Sequence, residues 1–297
     1  MMWGRRFAPF VSVTIGIATF SAMDAAMKGA AMLAGVFTAL LLRNLCGTLI
    51  MLPVWLAISR RLPSRPALLV HVQRSMITAC MGAMFFYGIV RVPLAEAIAI
   101  TFIAPLIALY FAAVMLGEKI HRNAILGSLL GLVGVAVIAA ARFSTGAFDR
   151  ETAIGIGAIV ISAMFYAVNL VLQRKQALLA GPVEVAFFQS LLVSLCLVGL
   201  APWLWVWPST PAVHGILAGA VLATLALLFL SWGYARAETQ ALVPIEYTGF
   251  LWAALFGWVL FDEAIGLATV AGTVLIVAGC VIATGLWGQK HTEQVAT

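Results

Sequence analysis

Residues 87–138 read YGIVRVPLAEAIAITFIAPLIALYFAAVMLGEKIHRNAILGSLLGLVGVAVI, and residues 232–283 read WGYARAETQALVPIEYTGFLWAALFGWVLFDEAIGLATVAGTVLIVAGCVIA. Shifted by 145 positions, the two superpose without a gap and share twelve identities in fifty-two. Common Leu and Ala residues carry little weight in apolar sequence. Rarer residues in register carry more: Gly88 with Gly233, Arg91 with Arg236, Glu118 with Glu263, Gly127 with Gly272, and Gly134 with Gly279. A weaker match pairs Ser21-Ala22-Met23 with Ser162-Ala163-Met164 at an offset of 141. The chain therefore carries an internal repeat.

Composition says what the repeated unit is. The 297 residues are 64% hydrophobic and only 9% charged, with a mean hydropathy of +1.09. A soluble domain carries roughly 25% charged residues. In hydrocarbon every backbone polar group must be satisfied internally, which leaves helices and closed barrels. The apolar runs here are unbroken and about 20 residues long, the length of a spanning helix. They lack the alternation of barrel strands over roughly 10 residues. Reading runs against charged or Pro/Gly punctuation predicts ten spans: 8–27, 34–57, 71–90, 94–116, 123–141, 153–172, 183–206, 213–235, 239–260 and 265–287. The expected fold is all-α, a polytopic membrane protein. The divisions are 1–145 for a first five-helix repeat, 146–290 for a second, and 291–297 for a short cytoplasmic tail. Five is odd, so the second copy must enter the membrane inverted. Inverted repeats are a signature of alternating-access transporters with a midplane site.

Lys and Arg placement orients the chain. With a cytoplasmic N-terminus the inner side receives twelve basic residues: Arg5, Arg6, Arg60, Arg61, Arg65, Arg74, Lys119, Arg122, Arg174, Lys175, Arg236 and Lys290. The outer side receives four: Lys28, Arg91, Arg142 and Arg150. Both termini are expected in the cytoplasm of a bacterial-type inner membrane. The net charge of +6 then reflects topology, and a nucleic-acid partner is not expected. The first run, behind Arg5 and Arg6, imitates a signal peptide. It is too long, lacks a small-x-small cleavage site and holds Asp24 and Lys28, so it reads as span one.

Residues 95–138 combine a mid-span Pro105, a terminal Gly117-Glu118, a short polar link and a Gly-rich following helix. This module resembles the EamA family of the drug/metabolite transporter superfamily. The second copy resembles it too, with Asp262 in place of the usual Gly, and the start fits through Met23-Asp24-Ala25, Lys28 and Leu42-Arg43. The resemblance covers essentially the whole chain. It implies a ten-helix secondary transporter of small metabolites, related in architecture to amino-acid exporters.

Ionisable groups at depth cost at least roughly 2.5–3.5 kcal/mol, so each needs a reason. Arg43, about nine residues into span two, is expected to face the cavity, pair with Asp24 and keep donors for a substrate carboxylate; a purely structural ion pair is the alternative. It is also read as the one deep inward-facing cation, which argues against multiply anionic substrates. Glu246, just after Pro244 and in register with Thr101, is a candidate proton carrier for coupled export, or else an acid bonded to a neighbouring helix. Pro105 and Pro244 are candidate hinges. Phe86, Tyr87, Tyr166, Asn169, Gln189 and Trp232 complete the expected substrate-binding set. Tyr87 and Trp232, being equivalent, were each expected to frame the cavity from one side. Gly127, Gly131, Gly134, Gly272 and Gly279 read as packing of spans five and ten. Glu118 and Glu263 read as caps for neighbouring helix ends. The four cysteines read as small buried hydrophobes.

A catalytic constellation is missing from the sequence. There is no G-x-x-x-x-G-K-[ST] loop and hence no ATPase motor, and no H-E-x-x-H; the four histidines read as lying at helix ends or beyond. No metal, cofactor or ATPase subunit is expected. The implied partners are a small-molecule substrate and the lipid bilayer, with the chain a monomer or homodimer. A carrier of other metabolites working as importer or exchanger, or a non-transporting membrane scaffold, are the competing readings.

Overall fold

The computed structural model describes residues 2–59, 62–101, 104, 107, 111, 122–143, 150–263 and 266–283. Pro105, Glu118, Lys119, the later part of span four and the 291–297 tail lie outside the described residues. The elements are α1 (Met2–Ala34), α2 (Val36–Ile58), α3 (Arg65–Ile89), α4 (Leu94–Thr101), α5 (Arg122–Phe143), α6 (Arg150–Leu179), α7 (Pro182–Val198), the single turn α8 (Ala201–Leu204), α9 (Thr210–Tyr234), α10 (Thr239–Glu246), α11 (Gly249–Phe261) and α12 (Leu267–Ala283). Among the described residues all regular structure is helical, and five helices are long and apolar enough to cross a membrane.

These sequences have few alternatives to helix in lipid, and their polar side chains stay local. Thr14, Thr48, Ser194 and Thr224 each donate to a carbonyl four residues back, so the hydroxyls need no water. Helix starts use proline where the missing N–H costs nothing, at α3, α7, α8 and α9. Span one was expected to end near residue 27. Instead α1 runs to Ala34, and the link to α2 is the single residue Gly35, whose φ of 76° is open only to a residue without Cβ.

Span nine is two helices. α10 ends at Glu246 and α11 starts at Gly249. Pro244 offers no amide hydrogen to the helix ladder. Shorter bonds take over beyond it: Thr248 N and its Oγ1 both donate to Ile245 O, and Phe250 N donates to Tyr247 O. The chain is thus opened at the position of Glu246.

Packing follows a pattern. The most extensive contacts join α1 to α9, α5 to α12, α3 to α6 and α2 to α7, followed by α3 with α7 and α2 with α9. Exchange α1, α2, α3, α4 and α5 for α6, α7, α9, α10–α11 and α12, and the set maps onto itself. The pair α1–α9 becomes α6–α3, and α3–α7 becomes α9–α2. Small residues make the contacts close: a Cβ on Gly279 would lie 2.5 Å from Gly127 O, so α5 and α12 touch backbone to backbone.

The outer surface is apolar, as lipid requires. Trp203 and Trp207 are 77% and 84% exposed at the end of α8 and just beyond it, in keeping with interfacial belts. Cys80 and Cys196 are exposed and unbridged, which corrects their reading as buried hydrophobes. A thiol is apolar enough to face lipid.

Candidate functional site

A cavity of about 160 Å³ opens between α1, α2, α3, α4, α6, α7, α9 and the α10–α11 break. Much of its wall is apolar, from Phe20, Met81, Phe85, Phe86, Leu227 and Leu230. Two polar groups line it as well.

The first centres on Arg43 of α2. Its side chain is buried, lies 5.8 Å from the Phe86 ring centre, and donates to Met23 Sδ at 3.3 Å and Asn44 Oδ1 at 3.4 Å. Both contacts are weak for a guanidinium. Asp24 lines the same cavity without a hydrogen bond to Arg43, so the expected ion pair is not formed. Lys28, one turn on, also turns away: its Nζ binds Val92 O at 3.1 Å and Glu263 at 3.2 Å.

The second centres on Arg74 of α3, which the sequence reading assigned to the cytoplasmic rim. It is buried to 3% exposure and lines the cavity. Its Nε donates to Asn169 at 3.0 Å, one terminal nitrogen to Gln173 at 2.6 Å, and the other to Gln176. Asn169, Gln173 and Gln176 stand at i, i+4 and i+7, one face of α6. Arg43 is therefore not the only deep cation, and anionic substrates are no longer disfavoured on that ground. The cytoplasmic bias of the loops survives the loss of one charge. His71, fully buried inside α3 rather than at its end, extends this network to Gln176 at 2.6 Å and Glu184 at 3.1 Å. A polar stripe at His71, Arg74, Ser75 and Thr78 was the available signal, with helical spacing in a span whose other residues, Gln73 apart, are apolar.

Glu246, at the end of α10, accepts hydrogen bonds from Tyr166 of α6 at 2.6 Å and Tyr234 of α9 at 2.7 Å. Glu246 is thus bonded to neighbouring helices and also lines the cavity.

Of the expected set, Asp24, Arg43, Phe86, Thr101, Tyr166, Asn169, Gln189 and Glu246 line this one cavity. Thr101 and Glu246, equivalent in the repeat, meet there. Tyr87 and Trp232 lie elsewhere. The Arg91 guanidinium lies 3.6 Å above the Tyr87 ring and bonds Tyr87 O; Arg236 lies 4.1 Å above Trp232 and bonds Trp232 O. An aromatic four residues before an arginine is a stacking platform at a helix end, which holds both rings outside the lining. Tyr247, next to Glu246, is buried against Gly131.

Glu263 caps a helix, although not its own neighbour. Its carboxylate accepts from Leu94 N at 3.1 Å, the first residue of α4, while holding Lys28. That ties the second half of the chain to the first at the end of the cavity near α4.

A largely apolar cavity with buried ionisable groups, inside a bundle of membrane-spanning helices, is the architecture of a membrane transporter. Two stretches, residues 10–140 and 153–285, match the EamA-like transporter family, and the chain belongs to it. It is similar to the pseudopaline exporter CntI of Pseudomonas aeruginosa, 29% identical over 268 residues, covering 89% of this chain and 91% of that protein. The aromatic amino acid exporter YddG of Ancylobacter novellus is 28% identical over 214 residues, 70% of this chain and 74% of that one. An S-adenosylmethionine uptake transporter of Rickettsia prowazekii is 22% identical over 214 residues, 72% and 70% of the two chains.

Proposed function

We propose that this protein is a secondary exporter of small amphipathic metabolites, foremost amino acids with aromatic or hydrophobic side chains, working by alternating access between two inverted five-helix repeats. The observation that carries the substrate reading is Arg43, with weakly engaged N–H donors directed at a cavity that also holds Asp24 and an aromatic wall. A zwitterionic head fits that pair, and the Phe20–Phe85–Phe86 band suits an apolar side chain. Export follows the pseudopaline and aromatic amino acid exporters; the Rickettsia relative works in the uptake direction.

The double family match, the exchange symmetry of the helix contacts and the repeated Arg motif support the division at about residue 145 and the ten-span count. The loop charges support cytoplasmic termini. Pro244, beside the break at Glu246, and Pro105 are the proposed hinges. Cysteines introduced at Lys119 and Asp262 should label from opposite sides of the membrane; labelling from one side would remove the inversion.

Counterflow in proteoliposomes tests the function. Vesicles loaded with unlabelled phenylalanine, tryptophan or leucine should accumulate the labelled compound, and expressing cells should excrete it faster. No exchange of any amino acid would overturn the substrate reading. Accelerated uptake without excretion would make the chain an importer. A proton role for Glu246 requires that Glu246→Gln lose the response of transport to an imposed pH gradient.

A further inference from the structure

The pole at Arg74 is not needed by a simple amino acid. Arg74 and Phe86 both line the cavity, twelve residues apart on α3. At 1.5 Å per residue this is roughly 18 Å of helix, about the reach of five extended residues. Arg43 sits over Phe86, so the two guanidinium groups belong to different ends of the lining. A phenylalanine anchored at Arg43 cannot engage both.

The chemistry of Arg74 is that of an anion site. Three of the five N–H groups of its guanidinium are oriented by neutral amide oxygens. None of its bonds goes to a carboxylate, and Glu246, the acid in the cavity on α10, is bonded to Tyr166 and Tyr234 instead. A buried guanidinium held rigidly with its charge unmatched is a strong receptor for a carboxylate. Donors beside it are also unused. Among the described residues Gln173 Nε2, on the same α6 face, has no partner, and neither end of the Gln189 amide has one, though both side chains are buried and line the cavity. A polar atom buried that way needs a partner, which a water or a polar group of a ligand in the cavity can supply.

Resting on the amino-acid reading above, we propose that the preferred substrate is an amino-acid derivative with two well-separated carboxylates. Arg43 and Asp24 take the zwitterionic head, the aromatic band takes an apolar spacer, and Arg74 with Gln173 takes the second carboxylate. Gln189 can meet a polar group between them.

A matched ligand pair tests this on the unaltered protein. 2-Aminosuberate and 2-aminooctanoate share a head and chain length, and only the first has a second carboxylate. Binding by thermal stabilisation in detergent, and counterflow in proteoliposomes, should favour 2-aminosuberate at least tenfold. The preference should shrink toward unity in Gln173→Leu and in Arg74→Gln if that variant folds. Equal affinity for the two compounds overturns the second pole while leaving the amino-acid reading intact. Binding of neither, with no exchange of phenylalanine, overturns both. A preference that survives in a folded Arg74→Gln protein overturns the role of Arg74.

Discussion

At Tyr87–Arg91 and Trp232–Arg236 the two halves of the chain fold one motif in one way: the arginine turns back onto an aromatic ring and a carbonyl four residues earlier. The preceding glycines both lie under a neighbouring helix, Gly88 against Ile159 and Gly233 against Val13. The cavity is different. Both of its arginines come from the first half. The position equivalent to Arg74 is Gly219, where a Cβ would lie 2.8 Å from Met27 Sδ and 3.9 Å from Arg43 Cγ. One half supplies a cation, and the other supplies room beside a second cation. The shell keeps the repeat where both copies bury a glycine face against a neighbouring helix. The lining does not, and the two-pole ligand proposed above has no need of matching walls.

Substitutions in the lining should therefore hit one half far harder than the other. Arg74→Met removes three bonds and leaves the buried amide oxygens of Gln173 and Gln176 short of a donor, while Asn169 keeps Thr78. At about 1–3 kcal/mol per unsatisfied acceptor, the loss should reach about 3 kcal/mol. Thermal unfolding in detergent should show the largest drop of any variant considered, whereas Gly219→Ala should be governed by whether the flexible Met27 tip can move. Next in size is Arg43→Lys, which keeps the charge and loses the planar fork. Losing one charge-assisted bond to the ligand, worth about 1.5–3 kcal/mol, should raise the KM for transport by about tenfold or more with unfolding temperature nearly unchanged. A normal KM would remove Arg43 from the substrate site.

The sequence alone was a good guide to the shell and an uneven one to the lining. Register of Arg and Gly across 145 positions was enough to find the repeat, because those residues do a job that either copy needs. Eight of the ten expected binding residues share the cavity, since an ionisable or amide group at mid-depth has few other reasons to be there. Tyr87 and Trp232 misled for the same reason the repeat was visible: their equivalence belongs to the motif with Arg91 and Arg236. Arg74 was missed because its position near the start of an apolar run looks like a loop charge. Only the partners on α6, ninety-five to a hundred and two residues away, reveal it as buried, and no local pattern encodes that distance.

The shell should respond equally in both halves. A Cβ on Gly88 would meet Ile159 and, at 2.9 Å, Gly155 O; on Gly233 it would meet Val13 at 2.5 Å and Pro9 O at 3.1 Å. Backbone oxygens cannot step aside as a side-chain tip can. Gly88→Ala and Gly233→Ala should each cost about 1–3 kcal/mol as overpacking does, and by similar amounts, while Gly157→Ala, which meets nothing within 4 Å, should not. Unequal losses would show that the helix pairs α3–α6 and α1–α9 are not equivalent in energy.

The smallest test concerns a place where the copies differ in residue type. Asp262 ends α11 at φ 53° and ψ 29°, and Glu263 N closes the turn onto Gly257 O at 3.1 Å. This is a left-handed helix end, the conformation glycine adopts without a Cβ penalty, and Gly117 holds the same register in the first copy. An L-residue there costs roughly 1–2 kcal/mol, less for Asp with its short polar side chain. Glycine also gains entropy in the unfolded chain, which offsets part of the relief. Asp262→Gly should thus stabilise by under ~1 kcal/mol, a rise of about 1–3 °C for a chain of this size, and Asp262→Val should destabilise by more. A lower unfolding temperature in the glycine variant would mean that the Asp262 side chain holds the junction with Glu263 and Lys28, and that this end of the second repeat has diverged for a purpose its counterpart lacks.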